Sequence, residues 1–310
     1  MKLKIAIMAA ILATTALSPL ASSAAEVKKI GLAVSNLQAD YFNQIKIGVE
    51  AYAKELGIEV ITVDAKNDSA TQVSQVQDLL TQGIDAFIYI PAGAAAAAVP
   101  TRLAKEAGIP VVNVDRNADE APGDTFIATD NATSAYEVCK HIIGLAGGAG
   151  QMIMIHGQKG TTPEVERTKG CMQAIGENPG VELVAEQWSE QWSQAEGLNI
   201  GQNLLQANPE VTLIFAQADG LALGAAQAVK VSGVAQRVYI GGFDGDTTAL
   251  PILAEAGFDA TATQQVRGIG RLAVDSAIKL AAGETLPAEQ LLPGFLTTPE
   301  NAAEYVAEHP

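Results

Sequence analysis

Apolar and polar positions along this chain change their period again and again. Short runs rich in Val, Ile and Leu, among them "KKIGLAVS", "IEVITVDA" and "DAFIYIP", predict buried strands. Each is followed by a stretch in which apolar residues recur every three or four positions, the period of an amphipathic helix: "DYFNQIKIGVEAYAKELG", "SATQVSQVQDLLTQG" and "AAAAAVPTRLAKEAG". Gly57, Gly83 and Gly108 end these helices where a left-handed cap residue is wanted. The Ala94–Ala98 tract predicts the opening of the third helix, since alanine is the best helix former.

After a fourth strand, "IPVVNV", and a short one, "DTFIATD", a second series begins with "QMIMIHG", "VELVAEQW", "TLIFAQ" and "VYIGGFD". Helices lie between them, ending at or near Gly180 and Gly233. Strand and helix in strict alternation imply a parallel sheet covered on both faces. Two such series predict an α/β protein of two similar doubly wound parallel-sheet domains.

The first residues read differently. "MKLKIAIMAAILATTALSPLASSAA" carries Lys2 and Lys4, then an apolar run, then small residues, the layout of a secretory signal peptide. Residues 1–25 are therefore set apart from the fold. The apolar run is shorter than the roughly 20 residues that a membrane-spanning helix needs, so export without stable membrane insertion is expected. Losing this segment takes two lysines from the 19 basic side chains and none of the 35 acidic ones, which moves the formal charge from −16 to about −18. Such a surface repels phosphate backbones and excludes nucleic acid as a partner.

The two cysteines, Cys139 and Cys171, fall in helical patterns with a strand between them in sequence, and are expected to be separate half-buried thiols. Asn67 and Asn131 head Asn-x-Ser/Thr triplets and read as loop and cap residues. Catalytic signatures are absent: no G-x-S-x-G, H-E-x-x-H, paired-Cys or P-loop spacing occurs, and "GLAGGAG" follows a helix where a dinucleotide loop would follow a strand. No calcium loop is present, and "DGDTT" after Phe243 is too short for one. Neither a cofactor nor a metal site is expected.

Ligands of open α/β sheets bind beyond the carboxyl ends of the strands. Those ends carry Ser35 and Asn36, Asp115 and Arg116, His156 and Gly157, Gln217, and Asp244. A carboxylate beside a guanidinium suits vicinal hydroxyls, because each group engages two oxygens and charge strengthens both bonds. Tyr41 and Phe42 at the start of the first helix, and Trp192 just before another, could pack on the apolar face of a sugar ring. His156 ends an apolar strand and could equally be a satisfied core histidine.

The stretches "VDRN" (114–117), "GTTPEVERTKG" (160–170), "GLNIGQNLLQANPEVTLIFAQAD" (197–219), "GGFDG" (241–245) and "ATATQQ" (260–265) resemble the periplasmic sugar-binding proteins of bacterial ABC importers, ribose-binding type, over essentially the whole mature chain. The resemblance implies a type I periplasmic binding protein fold with a ligand cleft between its domains. The chain would cross between domains near Thr129–Asp130, Gln264–Gln265 and Gly294–Thr297. Residues 26–129 plus 265–294 would form the N-terminal domain, and residues 130–264 plus 295–310 the C-terminal one.

By the same resemblance, Asp115 and Arg116 bind ligand from the first domain with Tyr41 and Phe42 on the ring, and the strand-end residues Ser35 and Asn36 are counted with them as ligand-binding. Thr162, Arg167, Trp192, Ala218, Asp244 and Gln264 complete the site from the second domain and hinge. Two positions depart from the ribose pattern: Ala39 stands where ribose binders carry Asn, and Ala218 replaces the amide of their "QND". The implied ligand is another pentose, a branched sugar, a sugar alcohol or a cyclitol. The implied function is capture by a monomeric, non-enzymatic periplasmic protein and delivery to an ABC permease, with a chemoreceptor as a further partner that the sequence leaves open. Two rivals are a periplasmic sugar-modifying enzyme using Asp115 or Asp244 as acid or base, and a sensing module like that of the lactose-repressor family. The export segment and the lack of a preceding helix-turn-helix argue against the repressor-like rival.

Overall fold

The computed structural model describes residues 26–94, 97–118 and 120–307. The expected export segment, residues 1–25, lies outside the described residues. The first series consists of β1 (Lys29–Val34), α1 (Asp40–Glu55), β2 (Glu59–Asp64), α2 (Ser69–Thr81), β3 (Ala86–Tyr89), α3 (Ala98–Glu106), β4 (Val111–Val114) and β5 (Thr125–Thr129). The second consists of α4 (Asn131–Leu145), β6 (Ala149–His156), α5 (Thr162–Gly176), β7 (Gly180–Trp188), α6 (Gln194–Ala207), β8 (Val211–Ala216), α7 (Asp219–Ser232) and β9 (Tyr239–Gly241). The chain closes with α8 (Leu253–Ala256), β10 (Thr261–Thr263), α9 (Val266–Ala281), β11 (Glu289–Leu292), β12 (Phe295–Thr297) and α10 (Ala302–Ala307). No described helix is long and apolar enough to cross a membrane.

Six parallel strands form the first sheet in the order β11-β5-β4-β3-β1-β2, and four form the second in the order β7-β6-β8-β9. A small antiparallel pair, β10 with β12, lies alongside, and single bridges tie residues 241–244 to residues 260–263. The chain passes three times between the sheets: from β5 into α4, from β10 into α9, and from β11 to β12.

Alternation of side chains explains why the central strands β1, β3 and β4 are apolar on both faces, whereas β2, β7 and β11 keep half-buried or exposed positions. In β1, Ile30, Leu32 and Val34 enter the core shared with α1 and α9, while Ala33 enters the core on the opposite face with Val76 and Leu79. In β6, Met152 and Met154 face α4 and α5, while Ile153 and Ile155 face α6 and α7. Gly57, Gly83 and Gly108 follow α1, α2 and α3 with φ of 74°, 69° and 75°, the left-handed conformation expected of them. In the second half, Gly233 caps α7 at φ 68°, but α5 stops at Gly176 and Gly180 already belongs to β7.

The alanine tract opens α3 only with its last member. Ala94 is in the preceding loop, Ala95 and Ala96 lie outside the described residues, and the helix starts at Ala98. Pro100 accounts for this, since a residue without an N–H is tolerated only in the first helical turn.

The expectation of two separate thiols is overturned. Cys139 on α4 and Cys171 on α5 form a disulfide with a Cα–Cα distance of 5.3 Å. Strand β6 intervenes in sequence but not in space, because α4 and α5 pack side by side over the same face of the second sheet. Their contact is close enough that a Cβ on Gly170 would stand 2.0 Å from the carbonyl oxygen of Ala132, so only glycine fits there.

Candidate functional site

The strand order of each sheet reverses at one place, between β1 and β3 in the first and between β6 and β8 in the second. Loops after these strands diverge and leave a crevice. The two crevices face each other across a cavity of about 560 Å³. Of the residues expected in the site, Asn36, Tyr41, Phe42, Asp115 and Arg116 line it from the first half, and Arg167, Trp192, Ala218 and Asp244 from the second. Ser35, Thr162 and Gln264 do not reach the cavity wall.

Asp115 follows β4 with φ 62° and is only 2 % exposed. Its Oδ2 lies 3.5 Å from Arg116 Nε. The Arg116 guanidinium donates from one terminal nitrogen to the carbonyls of Pro91 at 3.0 Å and Ala92 at 3.1 Å, and its carbon sits 5.3 Å from the Phe42 ring centre. Backbone oxygens and an aromatic face thus fix a buried cation before any ligand arrives. Burial raises the Asp115 pKa, with Arg116 and Arg167 pulling the other way.

Across the cavity, Arg167 projects from α5, its side chain 3 % exposed. Its Nε donates to Asn131 Oδ1 at 2.8 Å, and a terminal nitrogen donates to the carbonyl of Gln217 and to Asp244 Oδ1, the latter at 3.4 Å. The Phe243 ring lies 3.7 Å beneath the guanidinium. Asp244 has φ 124° and also accepts from Gln264 Nε2 at 2.8 Å, so Gln264 orients a cleft residue from behind. Burial pushes the Asp244 carboxyl up to about 8, against the pull of Arg167.

Aromatic walls complete the cavity. Tyr41 and Phe42 meet edge to face at 5.2 Å on one side. Trp192, held at φ 58° with its backbone N–H donating to Ser189 Oγ at 2.7 Å, stands on the other, its ring centre 5.7 Å from both guanidinium carbons. Gly157 after β6 makes this possible, since a Cβ there would fall 1.8 Å from Trp192 Cη2.

Several contacts bridge the two halves at the rim. Asp40 Oδ2 accepts from the backbone N–H of Thr247 at 2.8 Å and its hydroxyl at 2.7 Å, and Asn67 Nδ2 donates to Gln191 Oε1 at 2.9 Å. Thr162 belongs to this set: its hydroxyl accepts from the N–H of Asn117 at 2.9 Å. His156 is a core residue instead, stacked on Trp188 at 4.5 Å and bonded to Thr168 and Glu186, and burial lowers its pKa. Asn131 is no cap, because the N-cap of α4 is Asp130, whose carboxylate accepts from Thr133 N–H. Its amide serves Arg167.

Two carboxylates escaped the sequence reading, Asp40 and Asp246, both on the cavity wall. Asp40 directly precedes the flagged Tyr41–Phe42 pair, and Asp246 closes "GGFDGD", so adjacency to flagged motifs was the available signal. Buried Asp219 shapes that loop by accepting from the N–H groups of Gly245 and Asp246, both at 2.9 Å, and burial raises its pKa to about 7.

A family model described as periplasmic binding protein domain matches residues 30–285. The ribose import binding protein of Bacillus subtilis is 34 % identical over 255 residues, 82 % of each chain. A putative rhizopine-binding protein of Rhizobium meliloti is 33 % identical over 294 residues, 92 % of this chain and 95 % of that one. Among solved structures, an ABC transporter solute binding protein from Bacillus halodurans with bound myo-inositol superposes with a TM-score of 0.83 at 29 % identity, covering 91 % of this chain and 98 % of that one.

Proposed function

The chain belongs to the periplasmic binding protein family, and from that premise we propose that it captures a small polyhydroxylated ligand in the cleft and delivers it to an ABC permease. One observation supports this above the others. Two carboxylate–guanidinium pairs, Asp115 with Arg116 and Asp244 with Arg167, face one cavity from opposite halves between the rings of Phe42 and Trp192. Each pair suits vicinal hydroxyls, and the rings suit the C–H face of a sugar or cyclitol.

In this reading residues 26–129 plus 265–294 and residues 130–264 plus 295–310 are two domains, and ligand that touches both half-sites draws them together by hinge closure. Ala39 and Ala218 take the place of two hydroxyl-reading amides, so the ligand is a pentose other than ribose, a branched sugar, a sugar alcohol or a cyclitol. The protein works in the periplasm after removal of residues 1–25, without catalysis, and the permease reads its closed form.

A thermal-shift panel of pentoses, polyols and cyclitols tests the proposal. A ligand at about 100 times its Kd stabilises the native state by about 2.7 kcal/mol and raises the melting temperature. A panel in which no compound moves it refutes the proposal.

A further inference from the structure

Arg167 faces the cavity, but what aims it lies elsewhere. Its Nε donates to Asn131 Oδ1 at 2.8 Å, and one terminal nitrogen donates to the Gln217 carbonyl and to Asp244. Two held nitrogens define the plane of a guanidinium, and with it the direction of the third. Of the groups that hold them, Asp244 is itself on the cavity wall and the Gln217 carbonyl is backbone, whereas Asn131 is a side chain off the wall.

Asn131 is the first residue of α4, just beyond the passage from β5, and is 4 % exposed. The helix does not need its amide, because Asp130 already caps α4. Burying a carboxamide is costly unless both its ends are bonded. Both are: Oδ1 accepts from Arg167, and Nδ2 donates to the carbonyl of Thr129 at 3.1 Å. Thr129 ends β5, so one planar amide joins a cation of the second half to the last strand residue of the first. The helices leave little slack around it. Ala132 lies against Gly170, and Cys171, one turn beyond Arg167, is bonded to Cys139. Being neutral, the amide orients the guanidinium without cancelling its charge, which is left for Asp244 and for ligand.

We propose that Asn131 is a positioning residue for ligand binding, which sets the Arg167 guanidinium from the chain crossing so that the cation meets ligand hydroxyls at an angle fixed by that crossing. This rests on the reading of the cleft as a polyol site. Asn131 touches no ligand and acts through Arg167 alone.

Two measurements test it. In the ligand-free protein, nitrogen-edited NMR of the arginine side chains should show a slowly exchanging Nε–H resonance that is lost in Arg167→Lys. Asn131→Ala should shift that resonance and speed its exchange with water; an unchanged resonance would overturn the inference without reference to any sugar. The second measurement is calorimetric titration with the tightest binder among D-ribose, D-arabinose, ribitol and myo-inositol. Asn131→Ala is expected to weaken binding at least about tenfold in the wild-type background and less than about threefold in Arg167→Lys, which lacks the Nε–H that Asn131 accepts. Undiminished binding by Asn131→Ala, or equal losses in the two backgrounds, would give Asn131 a structural role only and overturn the inference. Asn131→Ser serves as a second variant should Asn131→Ala fold poorly. If none of the four compounds binds, the result counts against the polyol reading, and the NMR measurement still decides whether Asn131 sets the guanidinium.

Discussion

The clustered carboxylates predict that the ligand-free protein loses stability as pH rises, the reverse of ordinary acid denaturation. In the unfolded chain an aspartate titrates near 3.9. In the fold, burial holds Asp219 to about 7 and Asp244 to about 8. Between those limits the native state binds more protons than the unfolded one, so stability is full below about pH 4 and is lost as pH climbs through the folded values. Each retained proton is worth about 1.4 kcal/mol per pH unit. The members of the cluster repel one another, so we count a single proton, which gives a loss of about 2.7 kcal/mol from pH 5 to pH 7. Against a total of about 5–15 kcal/mol that is large. His156 works the other way, because its lowered pKa adds stability as pH rises toward about 6.5, and it trims the net slope at the acid end. Urea unfolding of the ligand-free protein at pH 5, 6, 7 and 8, followed by tryptophan fluorescence, measures the effect. Asp244→Asn, which removes the charge and keeps the shape, should flatten the decline. Wild-type protein as stable at pH 7 as at pH 5, or an Asp244→Asn protein with an unchanged slope, would refute the reasoning.

Three further outcomes are expected. Asp115→Asn, chosen because Asn tolerates the left-handed backbone found there, should lower ligand affinity at least about 100-fold while leaving the unfolding transition in place; undiminished binding by calorimetry would return Asp115 to the role of a strand cap. Reducing the Cys139–Cys171 bond, which closes a loop with a sequence separation of 32, should cost about 3.7 kcal/mol by the chain-entropy relation, read as a lower urea midpoint in the presence of reductant. Gly157→Ala should drive the Trp192 ring out of position, shifting its emission and lowering affinity at least about tenfold, whereas unchanged fluorescence would show that the ring makes no use of the space above Gly157.

The central strands β1, β3 and β4 were legible because they bury both faces and carry a nearly unbroken apolar run, and three helix ends were legible because a left-handed residue there is glycine. The α3 start was misjudged because alanine propensity says nothing of where Pro100 must fall. Strand ends pointed to Asp115, Arg116 and Asp244, since a charge at the limit of a buried run needs a reason. Ser35, Thr162 and Gln264 are not on the cavity wall: Thr162 bonds Asn117 at the rim and Gln264 holds Asp244 from behind, contacts that spacing does not encode. The disulfide stayed hidden because sequence order places β6 between two helices that in space share one face of the sheet. Asp40 opens α1 and Asp246 lies in the loop after β9, places where periodicity assigns no face.

The bonds at the cleft rim have a bearing on selectivity. Asp40 with Thr247, Asn67 with Gln191 and Asn117 with Thr162 join protein to protein, and they are the same whatever lies inside. On the proposed hinge closure these bonds, at about 0.5–1.5 kcal/mol net for each, set the fraction of molecules already shut before any solute arrives. Apparent affinity scales with that fraction, and it scales alike for every solute that fits. The rim therefore acts as a common multiplier on affinity and residence time, and choice among solutes is left to the handful of groups on the inner wall.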